Sequence, residues 1–234
     1  METEQIITHN TRVAIMQPYF FPYVGYFQTI KNCDVYVNLD HVLFKKSGYM
    51  TRNVIKDNNI INVEINNASS NKRCVDTNVL FKDNYFRKFK NKLYHLYSKN
   101  ENYEIIIEKI INPIFISQEI TISQFNLNII KKICSYLDIK TKIIDSSCEI
   151  TDKKKESGVI EIVKYFNGNE YLNSIGGKNL YSFDNFKENN IKLIFIQGKN
   201  LDFSNPYTSI LDLLFTHKRE LIINNLNKFD LVHE

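Results

Sequence analysis

Asp40 and His41 are the sharpest pair of reactive side chains in this 234-residue sequence. They close the run Asp34-Val-Tyr-Val-Asn-Leu-Asp40, which is short and β-rich and reads as a strand. A carboxylate at a strand end can accept a proton from a hydroxyl or an ammonium, and an imidazole can act as a general base near neutral pH. Both are therefore candidate catalytic residues. The competing reading is local: Asp40 caps a turn and His41 is exposed. In the loop that follows, Lys45, Lys46 and Arg52 place three cations around Tyr49, a set that suits a phosphate or a carboxylate or is only a surface pattern. Ser174-Ile-Gly176-Gly177-Lys178 can form a backbone nest for an anion, with Lys178 assisting, or simply a turn. It is not a P-loop, because GxxxxGK[ST] is absent.

The element that must position these groups is Val13 to Gln28, VAIMQPYFFPYVGYFQ. Val13-Ala14-Ile15-Met16 has no polar alternation and reads as a strand buried on both faces of a parallel sheet. Pro18 ends it, Pro22 can open a helix, and Tyr23, Tyr26, Phe27 and Ile30 recur at helical spacing. Ligands of open parallel sheets bind at the carboxyl ends of strands, which places the Gln17 to Gly25 turn where binding is expected. The Gln17 amide can donate and accept there, or tie down the turn. Tyr19 and Tyr23 can stack on a sugar or a base, while Phe20 and Phe21 suit packing. Gly25 inside a helix points to a close approach by packing or by ligand.

Strands and helices alternate through both ends of the chain, which predicts an α/β fold: a mostly parallel, Rossmann-like central sheet flanked by helices. Val35, Val37, Ile143, Leu172 and Ile194 fall on its expected strands with Ala14. A helical block over 79–138 is expected as an insert or cap within a single domain, and Asn62 to Asn66 as a strand paired with Asn53 to Lys56. Asn67 to Asn78 is polar and reads as a mobile surface loop.

Composition narrows the classes. The formal net charge is +4 with both signs interspersed, so no basic stripe suggests nucleic acid. No apolar run approaches the roughly 18 residues of a membrane span. No signal peptide is visible, and the cytoplasm is the default compartment. The four cysteines show no CxxC and no histidine at ligand spacing, so no metal site is expected and the thiols read as core residues.

VAIMQPYFFPYVGYF, the run from Asp34 to Asp40 and the loop ending TRNVIK resemble the opening of the WbqC-like proteins of bacterial polysaccharide clusters. EYLNSIGGKNLYSFDNFKENNIKLIF and NPYTSILDLLF are similar to later blocks of that family, in the same order. The resemblance highlights Gln17, Pro18, Pro22, Gly25, Asp40, Arg52, Asn53, Gly176, Gly177, Ser209 and Asp212. It departs at His41, where the family more often has a short acidic or amide residue, and at Met50, where an aromatic is common. It implies a place in O-antigen or other surface-polysaccharide assembly, among enzymes of nucleotide-linked amino sugars. The leading expectation is an N-acyl or aminoacyl transferase, glycyl transfer included, using an acyl or aminoacyl donor. A homodimer or a carrier-protein partner is compatible with that chemistry. The alternative is a non-catalytic sugar- or partner-binding module. Missing GxGxxG and metal motifs speak against a methyltransferase or nucleotide hydrolase. The two histidines of an HxGH signature are missing after the first strand.

Overall fold

Val13 to Met16 lie in a strand buried on both faces (β1, Arg12–Met16), as their unbroken apolar run requires. The structure is a computed structural model and describes residues 10–66, 69–82, 84–115 and 120–233. After β1 come α1 (Val24–Lys31) and β2 (Val35–Asn38), then a hairpin of β3 (Arg52–Ile55) and β4 (Asn59–Asn62). A second small pair joins β5 (Glu64–Ile65) to β6 (Val79–Leu80). The helical block contains α2 (Tyr85–Tyr97), then α3 (Tyr103–Ile106) and α4 (Asn112–Ile114) joined by a π-helical turn at Ile107–Ile111, and α5 (Ile122–Tyr136). The chain then alternates through β7 (Lys142–Ile144), α6 (Lys155–Tyr165), β8 (Glu170–Ser174), α7 (Phe183–Glu188) and β9 (Lys192–Gly198). It closes with α8 (Ile210–Thr216), α9 (Arg219–Asn225) and β10 (Phe229–Val232).

Six strands form one sheet in the order β10-β9-β8-β1-β2-β7. Every neighbouring pair is parallel except β9 with the edge strand β10. The α/β expectation is met, and Ala14, Val35, Val37, Ile143, Leu172 and Ile194 all lie on strands of this sheet. Alternate residues feed two cores. Ala14, Met16, Tyr36, Leu172 and Ile194 face a large cluster that also contains α1, α8 and the apolar sides of α2 and α5. Val13, Ile15, Val37, Tyr171 and Phe195 face a smaller one completed by α6 and α7. The helical block therefore shares the larger core with the sheet.

The order carries a topological consequence. From β1 the chain moves outward through β2 to β7, then returns across the sheet to β8 on the other flank of β1. The direction of travel reverses between β1 and β8. Such a switch point leaves a crevice at the strand carboxyl ends, because the helices leaving the two strands depart to opposite faces.

Several local expectations change. Helix α1 begins at Val24 rather than at Pro22, with Tyr23 as an extended N-cap. The hairpin partner of β3 is Asn59–Asn62, so the alternating Asn62 to Asn66 run belongs mostly to the β5–β6 pair. In the expected loop over Asn67 to Asn78, residues 67 and 68 lie outside the described residues. The rest carries a short 3-10 turn at Cys74–Asp76 whose Cys74 is fully buried. Its Cys74 and Val75 N–H groups donate to Val42 O and Asp40 O. Among the described residues no helix is long and apolar enough to cross a membrane.

The thiols behave as core groups. Burial pushes Cys74 and Cys134 up to about 12, and Cys33 further still, so little thiolate exists near neutral pH. Cys148 alone of the four is half-exposed. We expect a thiol reagent at pH 7 to label one cysteine in the native protein and four in denaturant, read by mass. Rapid native labelling of Cys74 would contradict this packing.

Candidate functional site

Gln17 to Pro22 runs directly over the switch point, and its shape is set by buried side chains from elsewhere in the chain. Phe21 sits at φ 44, a left-handed conformation that a bulky side chain adopts only when its surroundings insist. The restraints are specific. Asn53 Nδ2 donates to Phe21 O at 2.7 Å and to Phe20 O at 3.2 Å. Ser209 Oγ donates to Phe21 O at 2.7 Å. Asn126 Nδ2 donates to Pro18 O and Met50 O, and Tyr26 Oη to Gln17 O. The Phe20 N–H donates to Tyr49 O, which ties the turn to the 41–50 loop.

Under this frame lies a cleft of about 430 Å³ at the carboxyl ends of β1 and β8. That is the usual size of a small-molecule site. Six tyrosines line it: Tyr19, Tyr23, Tyr26, Tyr49, Tyr181 and Tyr207. Tyr207 and Tyr49 stand at the rim, 79% and 63% exposed. Tyr19 contacts both Tyr26 and Tyr49, with ring centroids 5.8 and 5.6 Å apart, and Tyr23 lies 6.3 Å from Tyr207. Burial raises the phenols of Tyr19, Tyr23 and Tyr181 above the ordinary tyrosine range; the Ser174 side chain beside Tyr23 offsets part of its rise. These hydroxyls stay neutral at pH 7 and serve as hydrogen-bond donors. Gln17, Asn53, Asn173 and Ser174 add polar groups, Gly176 and Gly177 add backbone, and Lys45 is the one formally charged residue among the described residues lining the cleft.

Of the residues that the sequence singles out, Gln17, Tyr19, Tyr23, Lys45, Asn53, Gly176 and Gly177 meet in this cleft. Asn53 lines it with its amide already spent on the turn and on the Val54 N–H. Ser209 lies behind it, capping α8 and holding Phe21. Asp212 accepts from Tyr97 Oη at 2.5 Å and from the Lys56 N–H, away from the cleft. Arg52 is exposed on the hairpin, and Lys178 is exposed on the 3-10 turn after β8 (Ile175–Leu180); neither lines the cleft.

Asp40 and His41 do not line it either. Both are buried, at 2% and 5% exposure. Asp40 Oδ1 accepts from the Ser147 N–H, from Ser147 Oγ and from the Cys148 N–H. His41 Nδ1 bonds Ser147 Oγ at 2.7 Å, and Nε2 bonds the Lys153 carbonyl at 3.0 Å. A carbonyl can only accept, so Nε2 carries a proton. Serine, histidine and aspartate thus meet without the wiring of a triad: the serine sits between the other two and is wholly buried. The arrangement fastens the end of β2 to the loop after β7.

The sequence reading missed Asn173, Tyr181 and Tyr207 as cleft residues, while Ser174, the start of its candidate anion nest, does line the cleft. Tyr49 between the loop cations and Tyr207 in NPYTS were the available signals. Gly25 has a physical reason. A Cβ there would sit 2.4 Å from Tyr23 Cε2, so the glycine lets the Tyr23 ring fold over the first turn of α1. Gly25→Ala should leave melting within a few degrees, since alanine favours a helix by about 1 kcal/mol, while weakening ligand binding several-fold by displacing Tyr23. Wild-type affinity in Gly25→Ala would remove Tyr23 from the site.

Comparison with known proteins agrees with the sequence blocks. The model of the WbqC-like protein family matches residues 17–223. The uncharacterized protein Rv1507c of Mycobacterium tuberculosis is 25% identical over 226 residues, covering 87% of this chain and 93% of that protein. No solved structure matches the chain. The family match begins just after β1 and takes in the turn and the cleft lining from Gln17 onward, and the chain belongs to the WbqC-like protein family.

Proposed function

We propose that this protein binds a nucleotide-linked amino sugar in the tyrosine cleft and carries out N-acyl or aminoacyl transfer to its amine in surface-polysaccharide assembly. The observation that carries the reading is the lining: six tyrosines, free amide groups and one ammonium, at the switch point of a parallel sheet. Aromatic faces stack on bases and on the apolar faces of sugars, and side-chain amides hydrogen-bond hydroxyls. Neutral phenols can donate to the oxygen that becomes negative when an amine attacks an acyl carbon. The reaction itself comes from the family resemblance.

One observation favours a second reading. No carboxylate or imidazole is among the described residues lining the cleft, so the proton of an attacking ammonium has no side-chain base to receive it. A non-catalytic sugar- or partner-binding module of the same pathway needs none.

A thermal-shift panel of nucleotide-linked amino sugars, followed by incubation with acyl and aminoacyl donors and mass analysis, separates these readings. A ligand at a hundred times its Kd stabilises by about 2.7 kcal/mol, a rise of about 5–10 °C for a chain of this size. A rise with an acylated product supports the transferase, and a rise without one supports the binding module. No rise with any nucleotide-linked sugar removes both sugar readings.

A further inference from the structure

We propose that Asn173 is the ligand-orienting donor of the cleft, reading a pyrophosphate oxygen of the nucleotide sugar together with Lys45. This rests on the nucleotide-sugar reading above. Asn173 ends the buried part of β8 and is 8% exposed. Its Oδ1 accepts from the Ser174 N–H at 2.8 Å, which fixes which way the amide faces. Nδ2 has no hydrogen-bond acceptor among the described residues, although Asn173 lines the cleft. The neighbouring glycines fit this role. A Cβ at Gly177 would stand 2.6 Å from Asn173 Nδ2, so only glycine leaves the amide in place. A Cβ at Gly176 would meet nothing within 4 Å, so space stays open in front of the turn. Asn53, on the same cleft, shows the contrast: both its amide atoms are used within the protein.

The chemistry of the lining selects the ligand group. Asn173 Nδ2, the Lys45 ammonium and the neutral phenols are donors, and no acid is among the described residues lining the cleft. Phosphoryl oxygens only accept, and they match a donor-rich wall with one cation.

The test is an NMR titration with inorganic pyrophosphate, repeated with a uridine diphosphate amino sugar. Asn173→Asp keeps the shape and the Oδ1 acceptor for the Ser174 N–H, but turns the donor into an anionic acceptor. We expect wild type to bind pyrophosphate, and Asn173→Asp to lose at least tenfold in affinity with melting unchanged. Lys45→Ala, on an exposed side chain, should weaken the same anion and serves as the reading if Asn173→Asp fails to fold. No pyrophosphate binding by wild type, or equal affinity in the variants, overturns the assignment. Wild type and Asn173→Asp binding the nucleotide sugar equally would remove Asn173 and leave the sugar reading standing. Asn173-dependent pyrophosphate binding without nucleotide-sugar binding would support the donor and remove the sugar reading.

Discussion

Asp40→Ala is expected to melt about 10 °C below the wild type and to bind cleft ligands normally. The variant strands the Ser147 and Cys148 N–H groups, both bonded to Asp40 Oδ1 in the native fold. Ser147 is fully buried, so water cannot replace the lost acceptor. An unsatisfied buried donor costs about 1–3 kcal/mol. The Ser147 hydroxyl can turn to His41 Nδ1, 2.7 Å away, which limits the total to about 3 kcal/mol. At 2–4 °C per kcal/mol for a chain of this length, that gives a fall of about 10 °C. Asp40→Asn retains Oδ1 and should lose much less. The observation that would restore the catalytic assignment is a tenfold loss of turnover in Asp40→Asn with wild-type melting, because a general base typically contributes 10²- to 10⁴-fold.

Much of the sheet was legible because its strands are buried on both faces and therefore written in unbroken apolar residues: VAIM in β1, LIFI in β9. Helix α5 was equally plain from its spacing. The end of the chain was not. Arg219 to Val232 has short elements and weak periodicity, and β10 is an antiparallel edge strand paired with β9. The site divides in the same way. The aromatic turn after β1 announces itself through composition and the ends-of-strands rule. The wall opposite does not, because β8 lies more than 150 residues away, and its adjacency to β1 follows from the switch in strand order, which no local pattern encodes.

Several of the polar residues that the sequence singles out are engaged with the protein's own backbone. Asp40, Asn53, Ser209 and Asp212 were each chosen as chemically capable residues, and capability is what a fold also uses to hold a strained backbone. Whether a polar side chain faces a ligand or a carbonyl depends on contacts 30 to 190 positions away, such as Ser209 with Phe21. Asn173 is the opposite case. Its neighbour's N–H fixes one amide atom, and the other has no acceptor among the described residues.

Asn53→Asp should be the most damaging single-atom change near the cleft. The native Nδ2 donates to two carbonyls, Phe20 O and Phe21 O, and Asn53 is 6% exposed. The new carboxylate oxygen would face both carbonyls with like charge and no donor. Breaking a buried polar set in this way costs about 3–5 kcal/mol, which corresponds to a melting fall of about 6–20 °C. The φ 44 of Phe21 would lose one of its two side-chain restraints, leaving Ser209 Oγ alone. Tyr19 and the Gln17 carbonyl ride on that turn, so we expect the affinity for a nucleotide-linked sugar to fall at least tenfold in whatever fraction stays folded. The defect should also depend on pH with a definite sign. Burial against carbonyls raises the folded pKa of the new carboxyl above its unfolded value of about 3.9. Protonated, it can donate to Phe21 O, so the deficit relative to wild type is small near pH 4. It grows as pH rises toward the folded pKa and then levels off. Melting curves of both proteins from pH 4 to 8 measure this directly. A constant difference across that range, or wild-type melting at pH 7, would mean that the turn holds its shape without the Asn53 amide.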